Sequence, residues 1–173
     1  PQFWGRPIHT IFFGGGTPSL FSARAIDDIL CGVRARTKLL ADAVKRLWPA
    51  TQIDVGRSDH SEKFQYDFDI PVRITPDELP RIEAEMAKIV AEDATFERVV
   101  VSRDQARQLF TSQGEALKVS RLDDIPADQD ITIFRHGGFS DLCRGPHVQR
   151  AGQSGAFKLT ELAGSYWRGD ERN

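Results

Sequence analysis

Apolar positions along the first third of the chain follow two different periods. Ile8 to Phe13 is a short β-branched and aromatic run ending in Gly14-Gly15-Gly16-Thr17-Pro18-Ser19, which predicts a buried strand and a turn. From Ala23 the positions Ile26, Ile29, Leu30, Val33, Leu40, Val44 and Leu47 recur at helical spacing, with Ser22 placed to cap the helix and Pro49 to stop it after Trp48. Gly32 is its weak point. Thr51 to Val55 and Phe64 to Phe68 alternate and predict a hairpin whose polar tip runs from Gly56 to Lys63. Thr75-Pro76-Asp77-Glu78 reads as a helix start, with Thr75 as N-cap and Glu78 closing a capping box, for a helix reaching about Glu92. Phe96 to Val101 follows as a strand, and Ser102 to Gln105 is a second capping box opening a short helix that ends before Gly114. Lys118 to Leu122, Ile131 to Phe134 and Phe157 to Leu162 complete the strand expectations. Helices and strands mix without a regular βαβ rhythm, so the expected class is α+β.

Composition narrows the picture. The 173 residues suit one domain, with or without a short appendage. A formal net charge of −2 leaves no overall basic field, which argues against a dedicated DNA-binding protein and leaves nucleic-acid contact to local Lys and Arg clusters. Two cysteines, Cys31 and Cys143, argue against a disulfide framework and for a reducing compartment. No apolar run approaches the roughly 18 residues of a membrane helix, and the N-terminus lacks the layout of a signal peptide, so the expectation is a soluble, cytoplasmic chain.

The chemistry concentrates in Asp141-Leu142-Cys143-Arg144-Gly145-Pro146-His147. A Cys and a His four apart, pinned by a Gly-Pro turn, form half of a site. Two more nitrogen, sulfur or oxygen ligands would close a tetrahedral zinc site; one polarising partner would activate a water. The competing reading is a buried Cys and a turn His with no role. Cys31 lies on one helix face with Arg34 or Ala35 and Lys38 and could approach the site as an extra ligand; alternatively it is a thiol packed on the apolar face beside Ile29 and Leu30. His60 could swing in from the hairpin tip.

Most of the chain resembles the editing domain of bacterial threonyl-tRNA synthetases, a fold shared with the alanyl enzymes. The resemblance covers about residues 39–173, in a domain expected over 37–173, and rests on Leu39 to Pro49, Tyr66-Asp67-Phe68, Gly114-Glu115 with Lys118-Val119, Asp141 to His147, and Gly164 to Asp170. It implies hydrolysis of the ester joining serine to threonine tRNA, a second sieve for an amino acid that a threonine pocket cannot fully reject. It further implies Cys143 and His147 as an active-site pair and potential zinc ligands, Lys118 and Asp141 beside the scissile ester, Tyr66 in the pocket, and the acceptor end of tRNA as partner. The aminoacylating core is not part of the resemblance. Two departures weigh on it. The family's His-x-x-x-His before the Leu-Leu of the first helix is replaced by Arg34 and Lys38, whose charges oppose a divalent metal, and the tip lacks the usual Gly-Pro-Val-Ile run. The expected activity is therefore weak or absent. The alternatives are a non-catalytic tRNA-binding or interaction module and a fusion product without evolved function.

Residues 1–36 resemble a different family, the radical S-adenosylmethionine proteins related to coproporphyrinogen oxidase and haem chaperones. Arg6 to Ser19 matches their second strand and glycine motif. The three-cysteine cradle of that family is absent, and Cys31 alone cannot hold a four-iron cluster. The sequence thus predicts a fusion joined within Arg34 to Lys38, where two helices merge in register.

Overall fold

The computed structural model describes residues 22–57 and 64–164. The strand and glycine turn expected over residues 8–19, His60 with most of the hairpin tip, and the motif from residue 165 onward lie outside the described residues.

The first helix, α1 (Ala23–Leu47), starts where Ser22 accepts a hydrogen bond from the Ala25 amide at 3.1 Å, and runs unbroken through residues 34–38. Its first turns are exposed; from Cys31 onward one face is buried through Ala35, Leu39, Leu40, Ala43 and Val44. Beyond Pro49 the reversal is tied down by Lys45, whose ammonium donates to the carbonyls of Pro49 and Thr51 at 3.0 and 2.8 Å. The hairpin β1 (Gln52–Arg57) and β2 (Gln65–Asp69) is antiparallel as expected, with a register irregularity between Ile53 and Gly56. Gly56 is required there by space, since a Cβ would overlap the Thr37 methyl and the Tyr66 ring. The hairpin therefore presses directly on α1.

Thr75 does not cap a helix through its side chain. The Glu78 amide that a capping box would use is taken instead by the Thr75 carbonyl at 3.0 Å, which closes a 3₁₀ turn over Pro76–Glu78. The helix α2 (Leu79–Glu92) follows from that turn and buries Ile82, Met86 and Ile89. Next come β3 (Glu97–Val101) and α3 (Arg103–Ser112), the latter opened by the expected reciprocal box between Ser102 and Gln105.

Lys118 to Leu122 is not a strand but part of α4 (Ala116–Asp123). Its two apolar positions, Val119 and Leu122, stand three apart, which suits a helix, and the i, i+4 pair Lys118 and Leu122 supplies the buried face. After it, β4 (Ile131–His136) and β5 (Phe139–Leu142) form a hairpin through Gly137-Gly138, and the sheet has the antiparallel order β3-β4-β5. The sequence reading contained no counterpart of β5. Phe157 to Leu162 is not a strand either: among the described residues no ladder partner lies beside it, and it meets α2 where Glu83 accepts from the Leu159 amide at 2.6 Å and pairs with Lys158 at 2.7 Å.

The result is an α+β fold with two apolar clusters. One gathers α1, α2 and the β1–β2 hairpin with Phe96 and Phe134; the other packs Ala106, Phe110 and Leu122 of α3 and α4 against Ile131 and Ile133. The alternation of β4 lets it serve both, Ile131 and Ile133 facing one cluster and Phe134 the other. Replacing Phe110, fully buried at the centre of the smaller cluster, with Ala should cost about 3–5 kcal/mol. Ser102→Ala, which removes one cap, should cost about 1 kcal/mol. Urea unfolding midpoints check the ranking; equal losses would contradict this packing.

Candidate functional site

Four elements converge on one carboxylate. Asp141, on β5, is completely buried, and its oxygens are met by the Lys38 ammonium from α1, the Tyr66 hydroxyl from β2 at 2.6 Å, and the Lys118 ammonium from α4 at 2.6 Å. Lys118 also donates to the Asp54 carbonyl of β1 and to the Tyr66 oxygen at 2.8 Å. Its ammonium is thus held by two hydrogen bonds and one ion pair within the protein. Two cations and one anion leave the buried cluster with an excess positive charge, and the protonation energetics follow from that. Burial works against the charge of Lys38, but Asp141 and Cys143 beside it outweigh burial and raise its pKa. For Lys118 burial dominates, helped by repulsion from Lys38, and the pKa is lowered. Burial would raise the Asp141 pKa, yet the two lysines hold it well below the usual carboxylate range. Tyr66 is pushed well above its ordinary value by burial and by the neighbouring Asp141 charge.

Past β5 the chain turns so that Cys143 and His147 face each other, Sγ to Nε2 at 3.2 Å. The Gly145 amide donates to the same sulfur at 3.4 Å, and the Gly145 carbonyl accepts from Arg34 Nη1 at 3.0 Å. Gly145 has a φ of +70°, and a Cβ there would sit 2.5 Å from Phe134 Cζ, so only glycine permits this turn against the ring. His147 meets Phe134 edge-on with centroids 4.5 Å apart and lies 5.4 Å from Phe96. Burial, reinforced by the Lys38 charge, lowers its pKa to about 3, so its imidazole is neutral at physiological pH. A cavity of about 640 Å³ opens over the group, lined by Arg34, Lys38, Lys118, Arg121, Cys143 and His147 among others.

Five of the residues singled out in the sequence, Tyr66, Lys118, Asp141, Cys143 and His147, are therefore brought to one place. Cys31 is not. It is buried on α1, and burial together with Asp27 one turn earlier raises its thiol pKa, as for a packed cysteine. Among the described residues no group of three or more His, Cys, Asp and Glu side chains is placed to hold a metal ion. One thiol and one imidazole with an ammonium beside the sulfur do not fit zinc, which needs further neutral or anionic donors where Lys38 stands. Asp54 and Arg121 escaped the sequence reading. Arg121 grips the Asp54 carboxylate through Nε and Nη2 at 2.6 and 2.7 Å, and so fastens α4 to β1 at the cavity wall. Their signal was the i, i+3 spacing of Lys118 and Arg121, visible only to a helical reading of that segment.

Residues 131–173 match the family described as the threonyl and alanyl tRNA synthetase second additional domain. The matched stretch contains Asp141, Cys143 and His147. A longer similarity joins the chain to threonine--tRNA ligases. The protein of Carboxydothermus hydrogenoformans is 49% identical over 135 residues, 78% of this chain and 21% of that protein. That of Acidiphilium cryptum is 48% identical over 136 residues, with 78% and 21% covered, and that of Gluconobacter oxydans 44% over 155 residues, with 88% and 24% covered. The chain spans between a fifth and a quarter of the length of these curated relatives.

The buried neutral imidazole has a sign that can be tested. Its folded pKa of about 3 lies below the unfolded value of roughly 6.5, so the unfolded chain takes up a proton first. Its contribution to stability is complete above about pH 6.5 and is lost as pH falls toward 3; Asp141, also depressed, adds a loss below roughly pH 4. Urea midpoints measured from pH 7.5 to 3.5 should fall throughout that acid range. His147→Asn should flatten the part between about pH 6.5 and 4 and keep the steeper acid loss. A variant profile parallel to that of the parent would refute the assignment.

Proposed function

We propose that this chain is an editing-type aminoacyl-ester hydrolase module acting on the acceptor end of tRNA, with serine esterified to threonine tRNA as its substrate and with activity reduced by Arg34 and Lys38. The observation that carries the reading is one cavity lined by Lys118, Cys143 and His147, with Asp141 and Tyr66 buried against Lys118, together with the similarity to threonine--tRNA ligases. An ester carbonyl entering the cavity would meet Lys38, Lys118, Cys143 and His147 in its lining. Cations suit the negative charge that develops on the carbonyl oxygen. The family's first histidine pair is missing, and losing two groups from a site that acts as a unit costs several powers of ten in rate.

A second reading has an observation of its own. The Lys38 ammonium is bound to Asp141 and lies beside Cys143, which are two polar groups the chemistry would otherwise use. That arrangement favours a module that binds the tRNA end without turnover. Separate ancestry is proposed for the segment carrying the radical S-adenosylmethionine motif, Arg6 to Ser19. The 155-residue alignment with the Gluconobacter protein is longer than residues 37–173 and therefore takes in part of what precedes them.

Deacylation of Ser-tRNA(Thr) and Thr-tRNA(Thr) by the purified chain separates the readings. Under the hydrolase reading the seryl ester is cleaved in preference, and Cys143→Ala and His147→Ala each lose at least about tenfold of that rate. No cleavage, with tRNA binding that weakens steeply as salt rises, would replace the hydrolase by the binding module.

A further inference from the structure

We propose that the cavity carries a phosphate-binding site on Arg34 and Arg144, and that the phosphate it takes is the last internucleotide phosphate of a tRNA end. The source of the phosphate, though not the site itself, rests on the reading of the cavity as an acyl-ester site.

The cations lining the cavity fall into two kinds. Lys38, Lys118 and Arg121 are bound to carboxylates of the protein, Asp141 for the lysines and Asp54 for the arginine. Arg34 and Arg144 line the same cavity, and among the described residues neither is paired with a carboxylate. Arg34 gives Nη1 to the Gly145 carbonyl at 3.0 Å, and Arg144 gives Nη2 to the Gln129 side-chain oxygen at 3.3 Å. A guanidinium has five N–H donors, so both keep donors for a guest. The carbonyl that steadies Arg34 belongs to the residue next to Arg144, which brings the two to one stretch of wall. A neutral carbonyl orients a cation without cancelling its charge. The carboxylates of the lining do not cancel it either: Asp54 and Asp124 are taken by Arg121, which leaves the exposed Asp130 against two arginines.

Guanidinium groups are permanently charged, weakly hydrated and planar, and their forks match the oxygens of a phosphate in pairs, so two of them free in one wall suit a phosphate better than a neutral guest. Thr37, one turn on from Arg34, lines the cavity too, and its buried hydroxyl has no partner within the protein, a further unmet polar group in that wall. Size points the same way. A cavity of about 640 Å³ falls among small-molecule and cofactor sites and leaves room beyond an amino acid for the nucleoside that carries it. In an aminoacyl-tRNA one ribose separates the esterified oxygen from the preceding phosphate, so an ester held in this lining brings that phosphate to the same cavity. Arg34 thereby acts in binding and takes no part in the chemistry.

Titration calorimetry of the full chain with AMP and with adenosine, at constant ionic strength, isolates the phosphate. AMP should bind at least about tenfold more tightly than adenosine, and Arg34→Gln and Arg144→Gln should each remove most of that advantage. Arg150→Gln takes a charge from outside the cavity, where Arg150 pairs with Asp93, and should keep it. The comparison of the two ligands on the parent protein needs no variant and so does not depend on how the variants fold. AMP binding no more tightly than adenosine, or Arg150→Gln losing as much as Arg34→Gln, overturns the proposal. Deacylated tRNA(Thr) then tests the source: Arg34→Gln should lower the slope of log K against log salt by about 0.7, the share of one phosphate. A preference for AMP through both arginines with that slope unchanged supports the phosphate site and assigns it to a free nucleotide instead of the tRNA end. A lowered slope with no Ser-tRNA(Thr) hydrolysis supports the site in full and removes only the hydrolase.

Discussion

A single buried carboxylate holds the site end of this molecule together. Asp141 has no exposed surface, and the two ammonium groups beside it are almost as deeply buried. A buried cation is tolerated only when paired and hydrogen-bonded, so α1 and α4 can approach each other through Lys38 and Lys118 only because β5 delivers an anion between them. Tyr66 completes the shell and brings β2 into the same contact. Four elements far apart in sequence are thus registered on one side chain, and the cavity walls take their spacing from it.

Around that point the polar and apolar parts of the structure divide the labour. The smaller cluster under α3 and α4 fixes one side of β4, while Phe134 on its other side props the Gly145 turn and the His147 ring. The position of the Cys143–His147 pair is therefore set by packing as much as by hydrogen bonds. Burial among Phe96 and Phe134 also keeps the imidazole neutral, and Lys38 adds to the effect. Arg34 and Lys38 bring two cations to the pocket, one spent on a carbonyl and the other on a carboxylate.

Where periodicity was long and caps were local, the fold was legible in the sequence. α1, α2, the β1–β2 hairpin and the Ser102 box all follow from patterns that need no distant partner. The failures lie where tertiary contact decides. Lys118 to Leu122 is too short to fix a period, and its helical form depends on burying Lys118 against Asp141; β5 holds Asp141 and Ser140 at positions that alternation alone marks as surface. Phe157 to Leu162 carries strand-like residues but finds Glu83 in place of a ladder. For the site, residue types and the family resemblance picked out five side chains that do meet. The Asp54–Arg121 grip and the Lys38–Asp141 pair were hidden, because each joins segments more than sixty residues apart.

Arg34 and Lys38 sit one turn apart on the same rigid helix, and they hold the Gly145 carbonyl and the Asp141 carboxylate, which lie four residues apart on the opposing segment. An axial slide of α1 would break both links together, so the gap between them is fixed before any ligand arrives. A guest entering this cavity is spared the entropic cost of ordering the walls around it, and its affinity then depends on how well its own shape and charge suit a mould already set.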